Sequence, residues 1–183
     1  MNAAMRRPDP ATDSGGIPEM ATLERWERAG AAVEGYIVPP GASLERTYFT
    51  ANRALAGTAS TGGVITVEEG VLPSGHPGPY RHYHPNMAQT FYVLEGELLL
   101  QIGDQVERAG AGTFAFCPAG CVHAFRAAGT EPARVLVTAM PPSPAEGYFR
   151  ELAKLPPDAG EAEWDALGKK WGNIVVGPPL EAD

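Results

Sequence analysis

The sequence predicts an antiparallel all-β fold, a sandwich or barrel, between Tyr36 and Met140. Short runs rich in Val, Ile, Thr, Phe and Tyr recur in this region, and each run ends at Gly, Pro or Asn within about ten residues. The chain has 22 glycines and 18 prolines among its 183 residues, and 44% of its residues are hydrophobic. So many turn formers favour short strands joined by tight turns over a helical bundle.

Several segments have the length and composition of strands. Gly103 and Asp104 separate two of them and form the two-residue connection of a tight hairpin. The predicted strands are 35–38, 46–50, 63–71, 90–94, 97–102, 105–107, 113–117, 123–126 and 133–139.

The ends of the chain differ from this β-rich centre. Residues 1–18 are rich in Pro, Asp, Ser and Gly, which predicts a flexible, disordered arm. Residues 19–183 then form a single domain, which begins with a short amphipathic helix near 19–29.

A helical appendage is expected over about residues 143–171. Ser143, Pro144 and Glu146 have the pattern of a capped helix start, and Asp158 with Glu161 predicts a second start. The apolar residues expected on one face of the first helix are Tyr148, Phe149, Leu152 and Leu155.

The charge balance excludes some classes of partner. The sequence has 14 Lys and Arg against 22 Asp and Glu, a formal net charge of −8, so a basic surface for nucleic acid or anionic lipid is not expected. It has no apolar run of roughly 20 residues that could cross a membrane, and its first residues lack the apolar region of a signal peptide. We therefore expect a cytoplasmic protein. Its two cysteines, Cys117 and Cys121, are too few to stabilise a domain of this size through disulfide bonds, so its stability must come from buried apolar residues.

His82 and His84 are the most informative residues for chemistry. They are separated by one residue, so in an extended strand both imidazoles project from the same face. Neutral imidazole binds Zn, Cu, Fe and Ni. Such a pair can equally be two half-buried histidines that hydrogen-bond to the backbone.

The segments around these histidines resemble the two sequence motifs of the cupins. Gln89 follows His84 by five residues, and a third histidine, His123, follows a Pro-Ala-Gly turn. The positions that agree with the spacing of the cupin motifs are His82, His84, Gly96, Gly112, Pro118, Gly120 and His123. The resemblance implies a cupin jelly-roll β-barrel in which these histidines bind one divalent metal ion.

The chain also resembles the single-domain bacterial quercetin 2,3-dioxygenases over roughly residues 33–180. The segments that carry this resemblance are 91–97, 123–126, 129–134 and 172–180. In that group three histidines and a glutamate hold the metal, a flavonol binds to it, and dioxygen cleaves the ring. The resemblance thus implies a homodimeric dioxygenase for an aromatic, flavonol-like or polyketide-like enol.

The chain departs from the cupin motifs at Gln89, which occupies the position of the metal-binding glutamate. An amide oxygen can coordinate a metal and orient a water or substrate oxygen, but it has neither negative charge nor useful basicity. Two lesser departures are His76 and Ala127, which stand where the motifs have Gly and Asn. The implied ligands are His82, His84, Gln89 and His123, and Gln89 is the candidate catalytic residue. The ion could be Fe, Ni, Mn, Zn, Cu or Co.

Five aromatic residues are predicted to line a substrate pocket: Tyr80, Phe91, Phe114, Phe116 and Phe125. Aromatic walls suit a small aromatic or apolar ligand. Besides a dioxygenase, the sequence allows a metal-assisted isomerase or cyclase, or a non-catalytic binding protein.

Other candidate residues have simpler interpretations. We expect His76 to lie in a hydrated loop rather than bind the metal, in a place where it could flank the mouth of the site. The two cysteines are expected to be structural thiols rather than a second zinc site, and Glu95 and Glu97 to be surface charges.

Overall fold

A computed structural model describes residues 34–44, 53–142, 145–156 and 158–181, all within the compact unit Ala32–Asp183. The predicted arm 1–18, the helix near 19–29 and the strand 46–50 lie outside the described residues. Among the described residues, no helix combines the length and the apolar composition needed to cross a bilayer.

The described residues form two antiparallel sheets of five strands each, with the orders β1-β2-β9-β4-β7 and β10-β3-β8-β5-β6. This arrangement confirms the all-β prediction. The two sheets are not hydrogen-bonded into one closed ring within the described residues, so a jelly-roll sandwich replaces the closed barrel that we expected. The strands are β1 (Arg53–Ala56), β2 (Thr66–Leu72), β3 (Arg81–Tyr83), β4 (Ala88–Glu95), β5 (Glu97–Ile102), β6 (Gln105–Gly110), β7 (Phe114–Cys117), β8 (His123–Ala127), β9 (Ala133–Met140) and β10 (Ile174–Gly177).

Some sequence expectations for individual strands were wrong. Residues 35–38 are not a strand, and Ile37 is 91% exposed, so this segment has no buried face to hold it against a sheet. The strands β1, β3 and β10 were not predicted, because each has only three or four residues and gives too little periodicity to recognise.

The core lies between the two sheets and is formed by alternating residues of the facing strands. Phe91 and Val93 on β4 are 1% exposed, and Leu98 on β5 is fully buried. Each such side chain stabilises the fold by about 1.5–3 kcal/mol relative to an exposed position. The same buried cluster also contains Leu72, Leu100, Ala109, Cys117, Ala127, Ala133 and Val135.

Two helices follow β9: α1 (Ala145–Leu152) and α2 (Glu161–Trp171). The second helix begins after Gly160 rather than at Asp158, because the Glu163 carboxylate accepts a hydrogen bond from the Gly160 N–H at 3.0 Å.

Close packing joins the two helices to each other and to the sheets. A side chain at Gly147 on α1 would overlap the Trp171 ring, so only glycine allows this approach. Beyond α2, β10 pairs with β3, and Val175 lies opposite His82. The C-terminal segment is therefore attached directly to the strand that carries the first predicted metal ligand.

Candidate metal centre and cavity

The structure brings the three predicted histidines together. His82 lies on β3 and is paired directly with His123, the first residue of β8, while His84 follows β3 immediately. The ring centroids of His82 and His123 are 4.3 Å apart, and His84 lies 5.0 Å from His82 and 5.2 Å from His123. One nitrogen from each ring lies within 4.8 Å of the others. These three side chains could hold a metal ion.

Hydrogen bonds fix the orientation of each ring. In all three residues Nδ1 faces a backbone carbonyl, which only accepts, so Nδ1 carries the hydrogen and Nε2 carries the lone pair. The carbonyl partners are Tyr80 for His82 at 2.7 Å, Gly172 for His84 at 3.1 Å and Cys121 for His123 at 3.1 Å.

The outer nitrogens fit a metal ion. Nε2 of His84 and Nε2 of His123 are buried without a hydrogen-bond partner. A buried acceptor left unpaired costs about 1–3 kcal/mol, and a divalent ion bound by these lone pairs would remove that cost. The donor set of neutral imidazoles therefore suits a divalent metal of the first transition row or zinc.

Burial keeps the three rings neutral. It lowers the pKa of His123 to about 4. The hydrogen bond to the Cys121 carbonyl raises this pKa, and the charge of His84 lowers it slightly. Burial also lowers the pKa of His82 well below 6.5, and the charges of His123 and His84 lower it further. The pKa of His84 is lowered too, again mainly by burial. All three rings are thus in the form that binds metal at neutral pH.

Gln89 lies beside this cluster. It is on β4, paired with Cys117 on one side and Ala139 on the other, and it lines the same cavity as His82 and His84. Its side chain exerts a small raising effect on the pKa of His84, although Nε2 of His84 has no hydrogen bond of good geometry. Gln89 thus contributes an uncharged amide to the cavity wall beside His84.

Both cysteines contact His123 on its Nδ1 side, through the Cys117 thiol and the Cys121 carbonyl oxygen. The Cys117 Sγ lies 3.3 Å from Nδ1 of His123 and 3.5 Å from the Cys121 carbonyl oxygen. Burial raises the pKa of Cys117 to about 12, so it is a neutral thiol. In the described part of the chain, the cluster that could hold a metal contains the three histidines and neither cysteine. This geometry agrees with structural thiols.

A cavity of about 170 Å³ is lined by His82 and His84 of this cluster. Phe91 and Phe125 line it as predicted, with ring centroids 5.5 Å apart. Tyr80 does not line it but packs on Trp164, which does, with ring centroids 5.3 Å apart. The helix α1 contributes Tyr148 to the wall. The space is thus enclosed largely by aromatic and aliphatic groups.

The prediction that Phe114 and Phe116 line the pocket was wrong. Phe114 is 62% exposed and Phe116 is 51% exposed. The register of β7 against β4 places Cys117 opposite Gln89 and therefore turns the odd-numbered side chains of β7 inward. Both phenylalanines lie on the outer face.

Sequence analysis missed one polar group of the cavity wall, Glu68. Glu68 on β2 lines the cavity, and a strand alternation that places Leu72 inward would have placed Glu68 on the same face. His76 also lines the cavity and is half-buried, with Nδ1 accepting a hydrogen bond from the Gly78 N–H at 3.0 Å. His76 thus lies in a loop outside the metal cluster, as expected, and it is partly exposed at the cavity wall. Glu95 and Glu97 form exposed ion pairs with arginines at 2.8 Å, as expected for surface charges.

Comparison with known proteins finds solved structures that are similar to part of this chain. The TT1209 protein of Thermus thermophilus has 25% identity, with 54% of this chain and 90% of that chain covered, and a TM-score of 0.46. Protein BH2720 of Bacillus halodurans has 26% identity, 51% and 71% coverage, and a TM-score of 0.45. A predicted oxalate decarboxylase of Thermotoga maritima has 19% identity, 49% and 77% coverage, and a TM-score of 0.47.

A search of curated proteins finds no match for this chain. Residues 68–139 match the family described as "Cupin domain", and this segment contains the three histidines, Gln89 and most of both sheets. This segment is therefore similar to the cupin domain.

Proposed function

We propose that this protein is a divalent-metal-dependent enzyme that acts on a small aromatic or enolic substrate, with dioxygenation as the leading reaction. The observation that carries the proposal is the convergence of three neutral imidazoles, each fixed through Nδ1, two of which, His82 and His84, line an aromatic cavity. Three protein ligands leave positions open for water and substrate, as in catalytic rather than structural metal sites.

Different residues of the site would bind the ion and the substrate. His82, His84 and His123 would hold the metal, which when bound polarises a substrate hydroxyl or carbonyl and favours its enolate. Phe91 and Phe125 would position a flat ring beside the histidines and exclude water. The Gln89 amide can orient an oxygen atom through either its N–H or its carbonyl group.

Gln89 also favours a second candidate, a metal-assisted isomerase or cyclase. An amide cannot take the proton of a substrate hydroxyl, and loss of a positioned general base typically lowers a rate by 10²- to 10⁴-fold. A reaction that needs the ion only as a Lewis acid is less affected by this substitution.

Metal analysis and oxygen uptake test the proposal. We expect about one divalent ion per chain in the purified protein and loss of that ion in His123→Ala. Oxygen consumption with flavonols and smaller enols would support the dioxygenase, whereas metal binding with turnover but no oxygen consumption would support the isomerase or cyclase. A protein without metal and without turnover would contradict both and leave a binding role.

The variant Gln89→Glu separates the two reactions further. If it gains oxygen consumption that the natural protein lacks, the natural reaction does not use dioxygen. Gln105→Glu is the matched control, since Gln105 is exposed on β6 and does not line the cavity. It adds the same charge without adding a carboxylate beside the histidines.

A cytoplasmic homodimer completes the proposal. Tyr92, Phe114 and Phe116 lie on the exposed face of the β4–β7 pair, where Tyr92 is directly opposite Phe114. Adjacent exposed aromatic side chains are typical of interaction surfaces, which supports pairing through this face.

A further inference from the structure

Glu68 and Glu69 are adjacent on β2 and lie on opposite faces of the sheet. The Glu69 carboxylate lies outside, 3.0 Å from Nη1 of Arg53 and 3.5 Å from Nε of Arg134. Glu68 lines the cavity instead. Ligand cavities are mostly apolar and contain a few placed polar groups that fix the orientation of the ligand, so an inward carboxylate is a candidate for that role.

The chemistry of the wall defines what Glu68 can recognise. Among the described residues that line the cavity, Glu68 is the single carboxylate. An ionised carboxylate accepts hydrogen bonds and donates none, so it selects a ligand with a donor group. The walls near it include Val137 and Phe91, which lie in the same row across the sheet and suit an apolar ring.

The strand register places Glu68 away from the histidines. Thr66 pairs with Ala139, and Ala139 pairs with Gln89, while Glu68 is two residues further along β2. Strand spacing and rise give about 12 Å between the Cα atoms of Gln89 and Glu68. Both side chains line the cavity.

The volume of the cavity sets the size of the ligand. An apolar cavity of about 150 Å³ holds benzene, and the cavity here has about 170 Å³. One ring with a polar group at each end therefore matches both the volume and the separation.

We infer that Glu68 determines substrate specificity by accepting a hydrogen bond from a hydroxyl group on the side of the ligand remote from the three histidines. The inference deepens the proposed function and rests on it. The substrate class is then a hydroxylated aromatic or enolic ring that has one oxygen at the metal and a second hydroxyl group at Glu68.

Paired ligands test this inference by calorimetry on protein stripped of metal by a chelator and kept under nitrogen. Hydroquinone and 4-methoxyphenol have similar shapes, but only hydroquinone has a donor at both ends of the ring. We expect the natural protein to bind hydroquinone about 10- to 100-fold more tightly, as loss of a hydrogen bond to a charged group predicts. Glu68→Leu should remove this preference, and Glu68→Gln, which keeps an acceptor without charge, should reduce it.

Glu69→Gln is the matched control, because it removes a neighbouring carboxylate that lies on the outer face. It should keep the full preference for hydroquinone. Melting temperatures of the three variants confirm that each is folded at the temperature of the titration. A preference that persists in Glu68→Leu, or that is absent in the natural protein, overturns the inference.

The proposed function is tested separately by metal content and turnover. A natural protein that binds metal and turns over substrate, with an unchanged preference in Glu68→Leu, would contradict the role of Glu68 alone. Absence of metal and turnover would contradict the proposed function and this inference together.

Discussion

Replacing Gly172 with valine tests whether the end of α2 orients a metal ligand. Gly172 has a φ of +72°, and its carbonyl oxygen accepts the hydrogen bond from Nδ1 of His84 at 3.1 Å. A side chain there would meet no atom within 4 Å, so the effect comes from the backbone conformation and not from a clash. A β-branched residue strongly disfavours this left-handed conformation, and the backbone is expected to move out of it.

The size of the effect follows from two separate costs. The left-handed conformation costs a residue with a side chain about 1–2 kcal/mol, which lowers the free energy of unfolding. If the backbone relaxes instead, the carbonyl leaves His84 and the ring loses its fixed orientation. Loss of such a partner of a metal-binding histidine typically weakens metal binding by about 10- to 100-fold.

Metal titration of the purified protein measures this change. Gly41→Val is the matched control, because Gly41 has a φ of +78°, also meets no atom within 4 Å and does not line the cavity. Both variants should lose a similar amount of stability in urea denaturation, but only Gly172→Val should bind Zn²⁺ or Co²⁺ more weakly. Equal metal affinities in the two variants would refute the argument that the helix end orients His84.

Three further predictions concern the rings at the site, in the core and on the surface. The metal-free protein should lose stability as the pH falls from 6.5 towards 4, because the unfolded chain protonates His123 at its ordinary pKa while the folded chain holds that pKa at about 4. This pKa difference contributes about 3 kcal/mol to the free energy of unfolding, and the contribution is fully present above pH 6.5. Urea denaturation curves that show no loss of stability between pH 6.5 and 4 would contradict the burial of the ring. Phe91→Ala should destabilise the protein by about 3–5 kcal/mol, since Phe91 is 1% exposed. Its control, Ile37→Ala, should change stability by less than about 0.5 kcal/mol because Ile37 is 91% exposed, and similar losses in both variants would contradict the burial assigned to Phe91. Phe116→Asp should convert the proposed dimer to a monomer in sedimentation experiments, and an unchanged sedimentation coefficient would contradict pairing through this face.

The parts of the fold that follow from local sequence patterns were predictable. The hairpin at Gly103 and Asp104 joins β5 and β6, as its two-residue turn indicates. The spacing of His82 and His84 places both rings on one side of an extended segment, and the structure brings them within 5.0 Å. In each case, the information lies within a few residues of the feature.

Features that depend on long-range register could not be read in this way. The inward side of β7 is set by its pairing with β4, so composition alone could not show that Phe114 and Phe116 lie outside. The partner of His84 is Gly172, 88 residues later in the chain, and no local pattern indicates that contact. Glu68 was missed although its alternation with Leu72 indicates the inner face, since a charged residue in a strand is ordinarily assigned to the outer face.

The direct pairing of His82 with His123, and of β3 with β10, has a thermodynamic consequence. The three histidines come together only when β3, with the residue that follows it, pairs with β8, so an ion that binds them stabilises this pairing through mass action. At a free ion concentration 100 times the dissociation constant, this linkage is worth about 2.7 kcal/mol. Because β10 pairs with β3 and the Gly172 carbonyl just before it orients His84, damage to this C-terminal segment should weaken metal binding even though the segment supplies no ligand.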